Sequence, residues 1–251
     1  MDFKDKKCLI AMPCGSGFVP VATVQSLMAL KFACSVGFAM TERIRTDEAR
    51  NFFAKMAISQ KVDYLLMIDD DNPVPADTLQ KMLEDDKDIV IAPILTRNPN
   101  KEGEHTLCAF YTREEMIDDK PLKIYYDIKD FREEGYLHKI DGGGCGAILI
   151  KREVLEKLDK EYDGFIFEYG KIKFSKKYSI DGRLIDKRTM SEDVEFSERA
   201  IKAGFEMWLD ERILPYHISQ PKLVKYGKPV SSVIQRMKSE NYDVAPDGAP
   251  C

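Results

Sequence analysis

Two periods of apolar and polar residues alternate along the first hundred positions. The runs KCLIAM (7–12), SVGFAM (35–40), DYLLMI (63–68) and DIVIAPIL (88–95) are short, apolar and bounded by turn or charged residues, which predicts strands. Between them the apolar spacing changes to three and four. Val21, Val24, Leu27, Met28 and Phe32 mark a helix within 19–33, and the strand at 35–40 is expected to be buried behind it. TDEARNFFAKMAIS (46–59) places Thr46 at an N-cap position and acids in the first turn, so it predicts a second helix. Pro75 and Ala76 open a third, running to about Glu84. Strand–helix alternation of this kind predicts parallel strands joined by crossover helices, an α/β domain.

The pattern changes after Thr96. RNPNKEGEH is a polar loop, and CAFYT, KIYYDI and GYLHKI are short aromatic or β-branched runs suited to antiparallel strands. GGGCGAILIKREVLEKL (142–158) predicts a glycine-rich turn, a strand and a helix. Residues 170–190, rich in Lys, Ser and Asp, predict a mobile loop. SEDVEFSERAIKAG (191–204) predicts a helix capped near Ser191 and stopped by Gly204. FEMWLD predicts a strand that LPYHIS continues. From Gln220 onward the chain is basic, then polar and proline-rich. The expected organisation is therefore one domain over 1–220 and a basic segment with a polar tail over 221–251.

Composition narrows the classes. The 251 residues are 44% hydrophobic and 32% charged, enough for one domain with a sizeable core. The net charge of −5 argues against a nucleic-acid partner, which needs a basic surface, but leaves room for a local basic pocket for one phosphate ligand. MDFKDKKCLIAM has no long apolar stretch with a cleavage site, so no secretory signal is expected. Residues 18–40 are long enough to cross a bilayer, but Gln25, Lys31 and Pro20 favour a helix followed by a strand over a membrane span. The six cysteines include no CxxC pair, as expected for free thiols in a reducing cytoplasm. Nothing in the pattern sets an oligomeric state.

One charge anomaly remains. The apolar run to Ile68 ends on Asp69, Asp70 and Asp71. Open α/β sheets bind ligands at the carboxyl ends of their strands. Three carboxylates there call for a divalent cation with oxygen ligands, Mg²⁺ or Mn²⁺, bridging to phosphate. Two later features can complete such a site. Glu192 and Asp193 stand at a helix N-terminus, where the dipole favours an ionised carboxylate, and His217 ends the last strand pair.

These blocks, in this order, resemble the glycosyltransferases of GT-A fold, and within them the family-two-like group with small bacterial and phage members. LLMIDDDNPVPADTL resembles their DxD motif, GGGCGAILIKREVLEKL their glycine-rich strand and following helix, and SEDVEFSERAIKAGFEMWLDERILPYHI their acidic helix, short strand and late histidine. The resemblance covers roughly residues 5 to 220. It implies a Rossmann-like mixed sheet flanked by helices, with a small antiparallel subsheet on the acceptor side. It implies a metal-dependent enzyme moving a sugar from a nucleoside diphosphate sugar, UDP-sugar foremost, to a hydroxyl of a sugar, glycan or protein, with inversion. By the same resemblance Asp71 and His217 are metal ligands. Asp69 and Asp70 touch the ribose or the metal and its water, in an order left open. Asp193 is the catalytic base with Glu192 beside it, Pro13 and the Arg50–Asn51 pair face the donor, and Gly143 and Gly144 lie on the acceptor side. MPCGSGFVP departs from the family's usual PxYN start. Two other readings stand beside this one: a non-catalytic nucleotide-sugar or carbohydrate-binding protein, and a sugar-nucleotide pyrophosphorylase. The second expects a basic glycine-rich loop after the first strand, and MPCGSGFVP carries no Lys or Arg.

Overall fold

The computed structural model describes residues 3–96, 103–117, 119–169, 178–180, 183–185, 191–219 and 222–223. A seven-stranded mixed sheet forms the centre. Three parallel strands open it: β1 (Lys7–Met12), β2 (Ser35–Met40) and β3 (Tyr64–Ile68), with β1 between the other two. The helices α1 (Val21–Ala29) and α2 (Thr46–Ser59) make the crossovers. After α3 (Thr78–Glu84) comes β4 (Ile89–Ile91), which does not join β3. The later strand β9 (Ala147–Lys151) inserts between them, antiparallel to both. The parallel alternation read from the pattern thus holds for three strands and is then interrupted.

A smaller sheet projects from this one. β5 (Ala109–Ile117) pairs antiparallel with β6 (Lys120–Asp127) and with β8 (Gly142–Gly143), while β7 (Leu137–Ile140) joins the edge of the main sheet. α4 (Arg152–Glu161) follows β9 directly. After a short hairpin, β10 (Tyr178–Ile180) with β11 (Arg183–Ile185), come α5 (Glu192–Lys202) and β12 (Met207–Asp210). β12 runs parallel to β4 and antiparallel to β7. A last pair, β13 (Ile218–Ser219) with β14 (Lys222–Leu223), ends the described chain. The loop expected at 170–190 lies outside the described residues except for its hairpin, as does the tail from 224 on. LPYHIS does not continue β12: only Ile218 and Ser219 are extended in a ladder.

The central strands are apolar throughout because both faces are covered. Leu65 and Met67 of β3 enter one core with Phe53, Val154 and Phe196 from α2, α4 and α5. Tyr64, Leu66 and Ile68 enter the other with Leu79 and Met82 of α3. The first 40 residues depart from expectation. α1 is shorter than 19–33, and it buries Thr23 while Val21, Val24 and Met28 point to solvent. β2 is the sheet's edge and is largely exposed, not buried. Thr46 is the first residue of α2 rather than its cap; Arg45 holds the cap position without a capping bond, its guanidinium donating instead to Asp47. Ser191 does cap α5, its hydroxyl accepting from Val194 N–H, and Gly204 stops that helix with φ of 90°.

The glycine run has a packing reason. Gly142 has φ of 155°, and a side chain there would strike the Phe110 ring and Ser197. Gly143 backs onto Ile91, and a methyl on Gly146 would stand 2.5 Å from Ile94. The close approach of β8 and its turn to β5 and β4 depends on these positions lacking Cβ.

Candidate functional site

The end of β3 is latched by Asp69 N–H donating to the Gly146 carbonyl at 2.8 Å, and Asn72 N–H closes a turn on the Asp69 carbonyl at 3.1 Å. This turn sends the three carboxylates in different directions. Asp69 points towards α2 and α5. Asp70 lies by Cys14, whose thiol is pushed up by burial and by that carboxylate, and its carbonyl accepts from the Thr23 hydroxyl at 2.7 Å. Asp71 points towards His217.

The counter-charge for Asp69 is Arg50. It lies on the apolar face of α2, with Phe53, Ala54 and Ala57, and is 1% exposed. Its Nη2 donates to both oxygens of Asp69 at 3.0 and 3.1 Å, and its Nη1 to Asp193 Oδ1 at 2.6 Å. Glu192 Oε1 is 3.9 Å from Nη2. A planar guanidinium can hold two carboxylates at once, which an ammonium cannot do in fixed geometry. One cation faces three acids. Burial pushes Asp69 up to about 7, with Asp193, Asp71 and Glu192 adding to the rise and Arg50 opposing it. Glu192 is raised by burial and by Asp193, again against Arg50. Arg50 therefore sits inside the acidic cluster as its neutraliser. Asn51 clamps the backbone of Phe167, donating to its carbonyl at 2.6 Å and accepting from its N–H at 2.8 Å.

Asp71 and His217 are brought together from positions 146 apart in the chain. Ile218 N–H donates to the Asp71 carbonyl at 2.8 Å and Tyr216 N–H to Pro73 at 2.9 Å, laying the late segment along the β3 turn. The His217 Nδ1 is 2.7 Å from the Leu95 carbonyl, and Nε2 is 3.5 Å from Asp71 Oδ2. With Nδ1 donating to that carbonyl, Nε2 carries a lone pair towards a carboxylate oxygen. Two acceptors so placed are compatible when a cation or a proton lies between them. One imidazole and one carboxylate are two donors that a divalent ion could take, the nitrogen suiting Mn²⁺ better than Mg²⁺, which prefers oxygen. Asp69 does not join this pair, and among the described residues no group of three or more His, Cys, Asp or Glu converges on a metal position.

Asp193 stands at the second position of α5, beside a cleft of about 460 Å³ lined by Thr96, Phe110, Tyr125, Asp127 and Gly144 among others. Arg50 holds one of its oxygens. The other, Oδ2, lies near Gly144: a methyl on that glycine would be 3.9 Å from it. The Ser197 hydroxyl ties the helix to β8, donating to the Asp193 carbonyl at 2.8 Å and accepting from Gly143 N–H at 3.3 Å. Cys108 lines the same cleft, its thiol pushed up to about 12 by burial and by Asp193. A cleft of about 540 Å³ at the other end of β3, between Lys6, Asp63 and Lys151, is far from these carboxylates. Pro13 is buried at the end of β1, next to Cys14.

The residue pattern did not single out the aromatic walls of the cleft, Phe110, Tyr125 and Tyr126, nor Asn72, whose amide donates to Asp71 Oδ1 at 2.5 Å. One signal was present for Arg50: an arginine among Phe53, Ala54 and Ala57 on a helix's buried face requires an acid as partner.

No protein-family model matches the chain, and no curated protein matches it. Among solved structures, the chain is similar to the crystal structure of A197 from STIV, with a TM-score of 0.49 at 15% identity over 88% of this chain and 95% of that one. It is similar to a mannose-1-phosphate geranyltransferase from Thermus thermophilus, with a TM-score of 0.38 at 13% identity over 62% and 61% of the two chains. A UDP-glucose pyrophosphorylase complexed with UDP-glucose gives 0.42 at 9% identity over 94% and 98%. Likenesses at this level carry no argument about fold family or about any residue's role.

Proposed function

We propose that the chain is a metal-dependent glycosyltransferase using a nucleoside diphosphate sugar and a hydroxyl acceptor. The observation that carries the reading is the placement of Asp193: one oxygen held by Arg50, the other at the open cleft, beside the turn that pairs Asp71 with His217. Asp71 and His217 would hold Mn²⁺ or Mg²⁺, which when bound supplies positive charge for the departing diphosphate. The acceptor lies in the cleft. Its hydroxyl oxygen forms the bond to the anomeric carbon while that carbon's bond to the diphosphate breaks. Asp193 takes the hydroxyl proton, and the nucleoside diphosphate leaves with the electron pair. Attack from the side away from the leaving group gives inversion. Arg50 fixes the carboxylate that accepts the proton, and Pro13 and Asp70 flank the place for the nucleoside, between β1 and β3.

The competing chemistry is nucleotidyl transfer. It would release pyrophosphate from a nucleoside triphosphate rather than nucleoside diphosphate from a sugar nucleotide. The turn after β1, MPCGSGFVP, has no Lys or Arg to hold a triphosphate, which favours the first reading. Incubation with UDP-glucose and Mn²⁺ is expected to release UDP, with the release lost in Asp71→Ala. Pyrophosphate release from UTP and glucose 1-phosphate, with no hydrolysis of any sugar nucleotide, would sink the glycosyltransferase reading.

A further inference from the structure

The sheet edge at β2 lacks the features that protect such edges. SVGFAM contains no charge and no proline, and among the described residues no strand or helix caps its outer side. Soluble proteins normally blunt an exposed edge with lysine, proline, a bulge or a cover. Here the opposite is found. Phe38 and Met40 are each 55% exposed, and Phe32 meets Phe38 edge to face, ring centroids 5.8 Å apart. On the same side of the sheet lies α1, where Val21 is 70% and Met28 82% exposed. With Phe18, these side chains present on the order of 700 Å² of apolar surface, close to the ~800 Å² per partner of a standard stable interface.

We infer that this face is a dimer interface, occupied by β2 and α1 of a second copy of the chain. Among the described residues the outer side of β2 has no ladder partner, so its best partner is another extended strand. An identical strand satisfies it symmetrically. The geometry then restricts the register. Phe38 and Met40 lie on the same face of the sheet as Val36, which packs into the core beneath α1 and α3. A two-fold axis perpendicular to the sheet keeps that face on the same side in both copies. Residues directly opposed in an antiparallel ladder share a face, so the pairing must match positions of equal parity. Centred on Phe38, the ladder opposes Phe38 to itself and Val36 to Met40. The two sheets become one, with both α1 helices on the same side of the seam. A membrane surface fits less well. The chain carries net charge −5, and Lys31, Glu42 and Arg43 around the patch are of mixed sign, with no basic cluster for anionic lipid.

Light scattering on the full chain at micromolar concentration is expected to give twice the chain mass. Phe38→Lys and Met28→Lys, at positions 55% and 82% exposed, are each expected to weaken the dimer at least about tenfold. Under mild oxidation Phe38→Cys is expected to form a covalent dimer, because position 38 faces its own copy. Met40→Cys is expected to remain uncrosslinked, because position 40 faces 36. A monomeric wild type, a dimer indifferent to both lysines, or crosslinking at 40 but not 38 would overturn the inference. So would a wild-type monomer that sediments with phosphatidylcholine–phosphatidylserine vesicles. None of these readouts depends on catalysis.

Discussion

Arg50 illustrates how one side chain decides what its neighbours can do. Its guanidinium ties Asp69 at the end of β3 to Asp193 at the start of α5. Replacing it by methionine leaves Glu192, buried, and Asp69 and Asp193, partly buried, without a counter-charge, and Arg50→Met is expected to cost about 3 kcal/mol in urea unfolding. Asp193 tests chemistry separately from folding. Asp193→Asn keeps the shape and an oxygen for Arg50 but cannot accept a proton. UDP release with acceptor present is expected to fall by about 10²–10⁴ while UDP binding is retained, a split that titration calorimetry reads alongside the assay. Equal loss of binding and turnover would instead make Asp193 part of the donor pocket.

At the scale of elements, the ends of strands carry the charge and the glycine turn lets them meet. A second buried acidic group lies where α3 ends and β12 ends. Asp85 and Asp210 share Arg212, which donates to Asp85 Oδ1 at 2.7 Å and to Asp210 at 2.8 Å. Burial pushes Asp85 up to about 7, Asp210 adds to the rise, and Arg212 opposes it. The sign follows from proton binding: between the ordinary carboxylate range and about 7, the folded chain holds a proton that the unfolded chain has released. This contribution is full at acid pH and is lost as pH rises through about 7. Stability from about pH 4 to about pH 8 is therefore expected to decline more steeply in the wild type than in Asp85→Asn, measured by denaturant midpoints at each pH. Parallel curves would refute it.

For the whole molecule, the sheet's mixed order places the carboxyl end of β3, the N-terminus of α5 and the segment after β12 at one rim. A donor bridging them should stabilise the folded state only when the metal is present. UDP with Mn²⁺ is expected to raise the melting temperature, and a hundredfold excess over Kd corresponds to about 2.7 kcal/mol. Neither component alone should match it. The described helices contain none long and apolar enough to cross a membrane.

The residue pattern by itself determined the order of strands and helices in the first ninety residues and the antiparallel character of 109–140, and it marked the run Asp69–Asp71, the acids Glu192 and Asp193, and His217 as candidates whose separate roles only the resemblance implied. It could do so because periodicity and strand-end charge are local properties. It misjudged the burial of α1 and β2 because an apolar stripe has the same spacing whether it faces a core or solvent. It could not set Arg50 between Asp69 and Asp193, because the sequence does not say which acids lie across from a helix. Only the tertiary structure decided that β9 separates β3 from β4, that Asp69 answers to Arg50, and that His217 crosses 146 positions to reach Asp71. Such pairings depend on strand order and chain return, which no local pattern encodes.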